Sequence, residues 1–420
     1  MNILLFANVG SAINGFYHAG DEAMFYETYR YYRSNFPSFN LTALVSYKSH
    51  QKLKIKEELN LPWPENGFNS RITFIFLSLK VIIWKLTGLS ILSSNELNFI
   101  SIIKKQQLIH FTGGGNINSL FPNWLYYSFF IIFLGWLFSK KIVLTSQTIG
   151  PFRFIDCFFS LLILNIPSLI ILRENNKERN ILLKYGIFRP IIKGGLDAAH
   201  TLPINSTYKL PEKKCLRIGL SLHSWKNYQE KLIKSVALTI NKLVKTKKIE
   251  VLLIPHIITK ENDEWDILYM EKLKSLLLKK IKIIEPKHKD IVESAIEPAI
   301  TIKWLTSKVD LLITSRYHGI VFASSTNVPF ITFKMREYYS RKNYKKIDLI
   351  YGNVNERYIV DLNKKIDHIS MEMFTKLNYI IDHLDKEKNK LKRINSYLEN
   401  HQLQLKNYLD SSIYSNFGVK

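Results

Sequence analysis

The sequence predicts an α/β protein with two halves, each built on a mainly parallel sheet. Strand-like apolar runs alternate with helix-like segments along most of the 420 residues, and this alternation is typical of βαβ units. A chain of this length exceeds one ordinary core, so two domains are expected. The polar stretch 203–214 contains two prolines and is the best linker. We therefore predict an N-terminal domain over 1–205, a second domain over 206–369 and a helical, Lys-rich extension over 370–420.

The first half is predicted to begin with a strand at 3–8, followed by a polar, glycine-containing loop and a helix from Asp21 to about Asn35. Acidic residues in the first turn of that helix favour its start. An irregular basic segment is expected at 50–70, and a strand with one or two helices at 71–106. Further strands are predicted at 41–46, 108–111, 141–146 and 168–172, and the run 191–193 leads to Gly194-Gly195-Leu196-Asp197.

The second half repeats the same alternation. Strands are predicted at 217–222, 250–254, 282–284, 309–313 and 328–333. Helices are predicted at 229–246, 263–280 and 297–307, with another beginning near Ile320. From about residue 370 the chain is rich in Lys, Leu and Asn, and a helical structure is expected there.

Composition restricts the function classes. Hydrophobic residues make up 46% of the chain and charged residues 22%, which is typical of a globular protein. The net charge of +24 favours an anionic partner, but no Arg-rich block or RNA-reading signature is present, so nucleic acid is not expected. Cys157 and Cys215 are too few for a disulfide framework or a zinc site. The N-terminus resembles a first strand more than a signal peptide, and a cytoplasmic location is expected.

Two apolar segments raise the question of membrane contact. The segment 117–139 carries no charge, but its strongly apolar part is only about 15 residues long, which suits a buried helix better than a bilayer span. The segment 152–172 is similar and is interrupted by Arg153 and Asp156. Apolar helices combined with basic charge suit a headgroup interface. We therefore expect docking on the inner membrane face, with the helix of the first domain facing the membrane.

The turn after the strand 309–313 is the main candidate site. It has the sequence Thr314-Ser315-Arg316-Tyr317-His318-Gly319 and connects a buried strand to a helix. Open α/β sheets bind their ligands at the carboxyl ends of strands. A guanidinium can hold a carboxylate or phosphate through two parallel hydrogen bonds, and a histidine titrates near neutral pH. The pattern therefore predicts an anion site with an adjacent acid/base at Arg316 and His318.

A second candidate lies in the first half, after the strand 108–111. Gly113-Gly114-Gly115 follows this strand, and Gln147-Thr148-Ile149-Gly150-Pro151 follows the next one. Consecutive glycines allow the backbone to approach a ligand, and their N–H groups can hold an anion. Neither a Walker loop nor a GxGxxG pattern is present. On the glycines alone, a tight turn without a ligand is an equally good interpretation.

The ordered set of these turns resembles the polysaccharide pyruvyl transferase family over roughly residues 1–340. The set consists of the Gly20-Asp21-Glu22-Ala23 helix start, the glycine turn, Gln147 to Pro151, Arg173-Glu174, Asp197, Pro255-His256, and Ser315 to Gly319 with Ala323 and Val328-Pro329. The resemblance implies two Rossmann-like domains facing a cleft, as in GT-B glycosyltransferases. It implies transfer of pyruvate from phosphoenolpyruvate to a sugar as a ketal, with release of phosphate.

The resemblance also implies roles for individual residues. Arg316 and Arg173 resemble the arginines that hold the donor, with Gly113, Gly114 and Gly115 beside them, and His318 resembles the general acid/base. Additional candidate contacts to donor or acceptor are Asp21, Gln147, His256 and Ser315. No resident cofactor is implied, and the sequence demands no metal. The acceptor is expected to be a sugar or a lipid-linked oligosaccharide, with the N-terminal domain on the acceptor side.

The sequence leaves two other interpretations open. A GT-B glycosyltransferase using a nucleotide sugar in capsule or exopolysaccharide synthesis would have the same fold, but no Glu-containing turn suited to a nucleotide ribose is apparent late in the second half. A non-catalytic membrane scaffold or nucleic-acid binder would depend on charge alone. The chain also departs from the family pattern at Ala198-Ala199-His200, where a proline and a bulky apolar residue are expected after Asp197.

Overall fold

The structure, a computed structural model, describes residues 1–7, 16–44, 70–173, 176–223, 228–259, 266–334, 340–341, 344–345 and 358–414. The chain divides into two units. Unit 1 comprises Met1–Gly15, Met24–Ala198 and His401–Lys420, and unit 2 comprises Phe16–Ala23 and Ala199–Asn400. This division differs from the predicted domains in three ways. The boundary between the halves lies at Ala198/Ala199 and not at 205/206. The short segment Phe16–Ala23 belongs to unit 2, and the predicted extension 370–420 is shared between the units.

Unit 1 is built on a seven-stranded sheet. The strand order is β3-β1-β4-β6-β7-β8, with β5 pairing β6, and every one of these pairings is parallel. The central strands are apolar and buried on both faces, as expected for a parallel sheet. The order reverses between β1 and β4, which is the switch point at which such sheets bind ligands. The strands are β1 Asn2–Phe6, β3 Asn40–Leu44, β4 Leu108–Phe111, β5 Gly114–Ile117, β6 Lys141–Ile149, β7 Leu169–Leu172 and β8 Ile191–Gly194.

Six helices accompany this sheet in the described residues: α1 Ala19–Asn35, α2 Ser70–Thr87, α3 Ser94–Lys105, α4 Pro122–Leu137, α5 Phe154–Ile163 and α6 Asn176–Lys184. The strand expected within 71–106 was wrong, because this region forms α2 and α3. Phe74, Leu77 and Val81 face the core at helical spacing. Ser93 and Glu96 form a reciprocal capping box that fixes the start of α3.

The apolar segment 117–139 lies in the core of unit 1. It forms α4, in which every residue from Leu125 to Gly135 is buried. The helix that we expected to face the membrane is therefore an interior helix, because α2 packs along it and α5 packs against it. None of the helices among the described residues combines the length and the hydropathy that a bilayer crossing needs.

Unit 2 is built on a six-stranded parallel sheet with the order β12-β10-β9-β13-β14-β17. β9, β10 and β12 follow one another outward on one side, and β13, β14 and β17 follow one another outward on the other, which is the doubly wound Rossmann order. The switch point lies between β9 and β13. The strands are β9 Leu216–Ser221, β10 Ile249–Leu253, β12 Lys282–Ile284, β13 Leu311–Thr314, β14 Phe330–Lys334 and β17 Ile359–Asp361.

Two small antiparallel pairs complete the strands. The first joins β2 Phe16–His18 to β11 Ile257–Thr259, and the second joins β15 Ser340–Arg341 to β16 Tyr344–Lys345. The helices are α7 Gln229–Leu243, α8 Asp266–Leu276, α9 His288–Glu293, α10 Pro298–Ser307, α11 Tyr317–Ser325, α12 Ile366–Asp382 and α13 Leu384–Tyr414, with a 3₁₀ turn at Ala198–Thr201. The predicted linker 203–214 contains no helix or strand.

Two Rossmann-like α/β units are therefore confirmed. Some sequence predictions fall outside the described residues: the basic segment 50–69, most of the polar loop after the first strand, and Glu174 of the Arg-Glu motif.

Candidate functional site

The turn between β13 and α11 is fixed by its own side chains. The Thr314 hydroxyl accepts a 3.0 Å hydrogen bond from the backbone N–H of Arg316. A Cβ at Gly319 would lie 2.2 Å from the same hydroxyl oxygen, so only glycine permits this close approach. Arg316 is the N-cap of α11, and His318 lies in the first turn of that helix. The turn thus holds both side chains at the carboxyl end of β13.

Ser315 links the two strands of the switch point. Its backbone N–H donates to the carbonyl of Ser221 at 3.1 Å, and its hydroxyl accepts from the N–H of His223 at 2.6 Å. The same hydroxyl donates to the His223 carbonyl. These bonds tie the end of β9 to the end of β13. Through these contacts in unit 2, Ser315 positions the turn.

Arg316 is anchored by a buried carboxylate. Its terminal nitrogen donates to Oδ1 of Asp266, while Oδ2 of Asp266 accepts from the backbone N–H groups of His256, at 2.7 Å, and Ile257, at 2.8 Å. Both side chains are almost fully buried. The Nε of Arg316 has no hydrogen-bond partner among the described residues. One edge of the guanidinium is therefore held in place, and its Nε N–H is suited to an anionic ligand.

His318 packs tightly against the start of α1. A Cβ at Gly20 would lie 1.7 Å from Nδ1 of His318, so the imidazole rests directly on the glycine backbone. The ring of His18 lies 5.9 Å from the ring of His318, and Tyr317 lies 5.2 Å from it on another side. His318 is only 4% exposed. Its position is thus determined by packing on several sides.

Three further histidines of unit 2 surround this turn. Burial lowers the pKa of His18 to about 4; the neighbouring charge of Asp21 opposes this shift, and those of His318 and Arg316 add to it. Burial together with the charge of Arg316 lowers the pKa of His223 to about 2 and holds that of His256 well below its usual value. These three imidazoles are therefore neutral near pH 7.

His256 differs from the other two in its contacts. Its ring stacks on Phe322 with a centroid distance of 5.5 Å, and both of its ring nitrogens are buried without a hydrogen-bond partner in the described part of the chain. Its carbonyl accepts from the N–H of Ala19 at 2.9 Å, which holds the start of α1 in place. A neutral imidazole with unsatisfied nitrogens beside an arginine is suited to a polar ligand.

The segment that carries Gly20 belongs to this site through backbone pairing. β2 pairs β11 in antiparallel register, with His18 opposite Ile257. Asp21 follows in the first turn of α1, and its Oδ2 lies 3.7 Å from Nδ1 of His18. The pairing with β11 brings the predicted residue Asp21 beside the histidine group of unit 2.

The glycine turn of unit 1 lies at the switch point of its own sheet. Gly113 and Gly114 have φ values of +118° and +146°, which other residues rarely adopt. A Cβ at Gly113 would also lie 2.7 Å from Sδ of Met24. Gly114 pairs in register with Gln147, and Gly115 follows in β5. The predicted turn residues Gly113, Gly114, Gly115 and Gln147 thus come together.

Arg173 lies beside this turn and is engaged within unit 1. Its Nε and Nη2 donate to the Thr148 hydroxyl at 3.0 Å and 2.7 Å, and its Nη1 lies 3.4 Å from a carboxylate oxygen of Asp197. Its backbone N–H donates to the Gln147 carbonyl at 2.8 Å. The side chain is almost fully buried. Thr148 and Asp197 therefore set the orientation of this guanidinium.

Among the described residues, no group of three or more His, Cys, Asp or Glu side chains has an arrangement that could hold a metal ion.

Comparison with known proteins identifies the family. The profile of polysaccharide pyruvyl transferases matches residues 18–337, which is more than half of the chain. The chain belongs to the polysaccharide pyruvyl transferase family. It is accordingly a transferase of polysaccharide biosynthesis, and the resemblance drawn from the ordered turns is confirmed. A sequence search of curated proteins found no significant match.

Solved structures show likeness in fold. A glycosyltransferase from Rickettsia africae aligns with a TM-score of 0.57 at 14% identity, covering 99% of each chain. A UDP-GlcNAc 2-epimerase from Neisseria meningitidis aligns with a TM-score of 0.54 at 12% identity, covering 96% of this chain and 100% of its own. A Listeria monocytogenes protein described as a UDP-N-acetylglucosamine 2-epimerase gives 0.63 at 12% identity, covering 100% and 97%. These likenesses support the GT-B-like assignment of the polysaccharide pyruvyl transferase fold.

All predicted site residues lie inside the region that matches the polysaccharide pyruvyl transferase family. Unit 2 brings together Asp21, His256, Ser315, Arg316 and His318, while unit 1 separately brings together the glycine turn, Gln147 and Arg173. Each group lies at the carboxyl edge of its own sheet.

Sequence reasoning missed His18, His223 and Asp266. His18 lies three residues before Asp21, so the pairing of β2 with β11 was the missing information. His223 follows β9 directly, and the switch-point rule would have identified it once the strand order was known. Asp266 lies at the start of a helix that the sequence predicted only in outline, and nothing in the local pattern singles it out.

Proposed function

We propose that this chain transfers pyruvate from phosphoenolpyruvate to two hydroxyls of a sugar, forming a cyclic ketal and releasing phosphate. The observation that carries the proposal is the anchored pair Arg316 and His318 at the switch point of the unit 2 sheet. Membership in the polysaccharide pyruvyl transferase family supports the reaction class.

Arg316 has the chemistry to hold the donor. Phosphoenolpyruvate carries about three negative charges, and a guanidinium is the side chain best suited to carboxylate and phosphate groups. Asp266 fixes one end of this guanidinium, so little side-chain freedom is lost when an anion binds. The neutral state of His18, His223 and His256 leaves the positive charge of Arg316 as the main attraction for the donor. The donor contacts predicted for Arg173 and Gly113–Gly115 remain predictions.

His318 serves as acid and then base. Protonated His318 donates its proton to the methylene carbon of the enol, which becomes the pyruvyl methyl group, and positive charge develops at the adjacent carbon. A sugar hydroxyl adds to that carbon and passes its proton to the now neutral imidazole. Phosphate then leaves with the electron pair of its bond to the same carbon. The second hydroxyl adds there, passes its proton to the released phosphate and closes the ketal. No resident cofactor or metal takes part in this scheme.

The acceptor that we propose is a sugar of a cell-surface polysaccharide, such as a capsule or exopolysaccharide, or its lipid-linked precursor. The protein would then act in the cytoplasm, close to the inner face of the membrane. Its fold likeness to a glycosyltransferase also supports a second candidate, transfer from a nucleotide sugar. The two candidates differ in the donor, so donor binding distinguishes them.

The decisive experiment measures donor binding and then turnover. Phosphoenolpyruvate at about a hundred times its Kd should raise stability by roughly 2.7 kcal/mol, which thermal shift detects. Stabilisation by a nucleotide sugar and not by phosphoenolpyruvate would overturn the proposal. Turnover is followed by phosphate release over a panel of sugars, with the ketal methyl group identified by NMR.

Variants assign the roles in that assay. His318→Ala should abolish phosphate release, whereas His368→Ala, which removes an exposed histidine of α12, should leave it unchanged. Arg316→Lys keeps the charge but loses the fork geometry, so it should weaken donor binding. A normal rate in His318→Ala would end the acid/base assignment.

A further inference from the structure

Two helices of unit 1 present an apolar surface outward. α2 and α5 lie side by side on the buried helix α4, where the rings of Phe74 and Phe159 are 5.7 Å apart and Arg71 contacts Asp156 at 3.0 Å. Because these inner contacts join the two helices, their outer sides form one continuous surface. We call this surface the α2–α5 face.

The outer side of α2 is almost wholly apolar. Phe74, Leu77 and Val81 occupy its core side. The opposite side exposes Ile72, Ile75, Phe76, Leu79, Ile83 and Leu86, and the exposed fractions of Phe76 and Leu86 are 61% and 79%. A surface helix of a globular protein normally carries charged or polar residues on that side. α2 is therefore apolar on both sides.

The burial pattern of α5 is the reverse of that expected for a surface helix. This helix buries Asp156 and Ser160, which are polar, and only Ile163 among its apolar residues. It exposes Phe154 at 94%, Phe158 at 59% and Leu162 at 52%. Burying polar groups while exposing aromatic rings is unfavourable in water. An apolar environment on the outer side would remove the cost of exposing the aromatic rings.

The exposed charge on the helices α2, α3 and α5 has one sign. α2 contains no acidic residue, and Asp156, the single acid of α5, is buried in an ion pair with Arg71. Glu96 of the neighbouring α3 is also buried and is paired with Lys80. The carboxylates that contact these helices are thus neutralised inside the protein.

Cations lie beside aromatic rings at the carboxyl end of α2. Lys85 and Lys104 both approach the ring of Phe138, and Lys104 also lies 5.7 Å from the ring of Trp84. Trp136 is 58% exposed in the last turn of α4. Tryptophan and lysine together are typical of a lipid headgroup region, where the rings lie at the interface and the ammonium groups meet phosphates.

We propose that the α2–α5 face docks on an anionic lipid bilayer, with both helices lying parallel to its surface. An apolar strip bordered by cations is complementary to acyl chains beneath negatively charged headgroups. Docking requires neither donor nor acceptor, so it can be tested independently of pyruvyl transfer.

Vesicle flotation of the full chain tests this proposal. The protein should float with vesicles of phosphatidylcholine mixed with phosphatidylglycerol, without phosphoenolpyruvate present. It should bind vesicles of phosphatidylcholine alone more weakly, and added salt should reduce the difference between the two. Failure to bind the mixed vesicles, or equal binding to both compositions, would overturn the proposal.

A pair of substitutions locates the surface. Phe76→Ser with Phe158→Ser should lower the partition coefficient by about 10- to 100-fold, because two half-exposed rings no longer enter the bilayer. The control pair is Leu238→Ser with Leu276→Ser on exposed positions of unit 2, and it should bind like the unaltered protein. Light scattering is measured in parallel. If the phenylalanine pair binds vesicles normally but converts a dimer to a monomer, the face joins two copies of the chain and the lipid proposal is wrong.

Discussion

The substitution Gly20→Ala offers the sharpest test of the unit 2 site. The added Cβ would lie 1.7 Å from Nδ1, 2.1 Å from Cγ and 2.2 Å from Cε1 of His318. Ordinary carbon contacts need about 3.5 Å, so the ring must move by roughly 2 Å. Overpacking of this kind costs about 1–3 kcal/mol. Alanine in a helix would otherwise be more favourable than glycine by up to about 1 kcal/mol. Helix propensity alone therefore predicts that Gly20→Ala would stabilise the protein.

The assay combines stability with turnover. Native-state hydrogen exchange of the peptide 311–325 reports the free energy of opening in unit 2 without assuming two-state unfolding of the whole chain. We expect that free energy to fall by about 1–2 kcal/mol in Gly20→Ala. Displacing a catalytic group by about 1 Å can cost about a hundredfold in rate, so phosphate release should fall at least that much.

The double variant supplies the control. In a His318→Ala background the ring is absent, so Gly20→Ala should be neutral or stabilising by up to about 1 kcal/mol. The same destabilisation in both backgrounds would show that the alanine does not act through the ring. Unchanged stability and rate in Gly20→Ala alone would refute the packing that we describe.

Three other predictions follow from buried charges and hydrogen bonds. Asp266→Asn leaves the buried guanidinium of Arg316 without its carboxylate. It should lower the free energy of opening of unit 2, measured by hydrogen exchange, by about 3 kcal/mol. The control Asp382→Asn, at an exposed ion pair, should change that free energy by less than about 1 kcal/mol. Burial lowers the pKa of His110 to about 3. Between about pH 3 and 6.5 the unfolded chain therefore binds more protons than the folded chain. The free energy of unfolding should fall as the pH is lowered through that window. At pH 3 the loss is on the order of 4 kcal/mol, and His110→Gln should flatten the pH dependence of the urea midpoint. Arg173→Lys should weaken phosphoenolpyruvate binding at least about tenfold in calorimetry, because lysine lacks the fixed pair of N–H groups, and unaltered affinity would remove this residue from the donor site.

Local patterns were sufficient for most of the fold. Apolar runs flanked by polar turns predicted the parallel strands, and the strand predicted at 309–313 before Arg316 is β13 Leu311–Thr314. The region 71–106 was harder, because α2 is apolar on both sides and therefore lacks the period that separates helix from strand. α4 contains no charged residue and is buried, whereas α2 contains Arg71, Lys80 and Lys85 and exposes apolar side chains on one side. The absence of charge in 117–139 was the signal in the sequence that indicated a buried helix.

The site was predicted only in part, because some of its residues are brought in by contacts between distant segments. Arg316, His318 and the glycine turn stand directly after strands, where chain order alone indicates the ligand edge. His18 reaches the site through the pairing of β2 with β11, whose partners are separated by about 240 residues, and Asp266 reaches Arg316 from the start of another helix. Neither contact can be predicted from the local sequence. The anchor of Arg316 is thus a tertiary feature.

The pairing of Phe16–His18 with Ile257–Thr259 has a consequence for how the chain can be divided. A fragment beginning at Ala199 would contain every strand of the larger sheet of unit 2, yet it would lack the glycine on which His318 rests. During synthesis, residues 16–23 leave the ribosome long before their partner strand exists, so the imidazole acquires its final surroundings only after the two distant segments have met. An engineer who wants a minimal C-terminal enzyme would need to graft the first segment back on, and a circular permutant that joins it to the later half is the natural design.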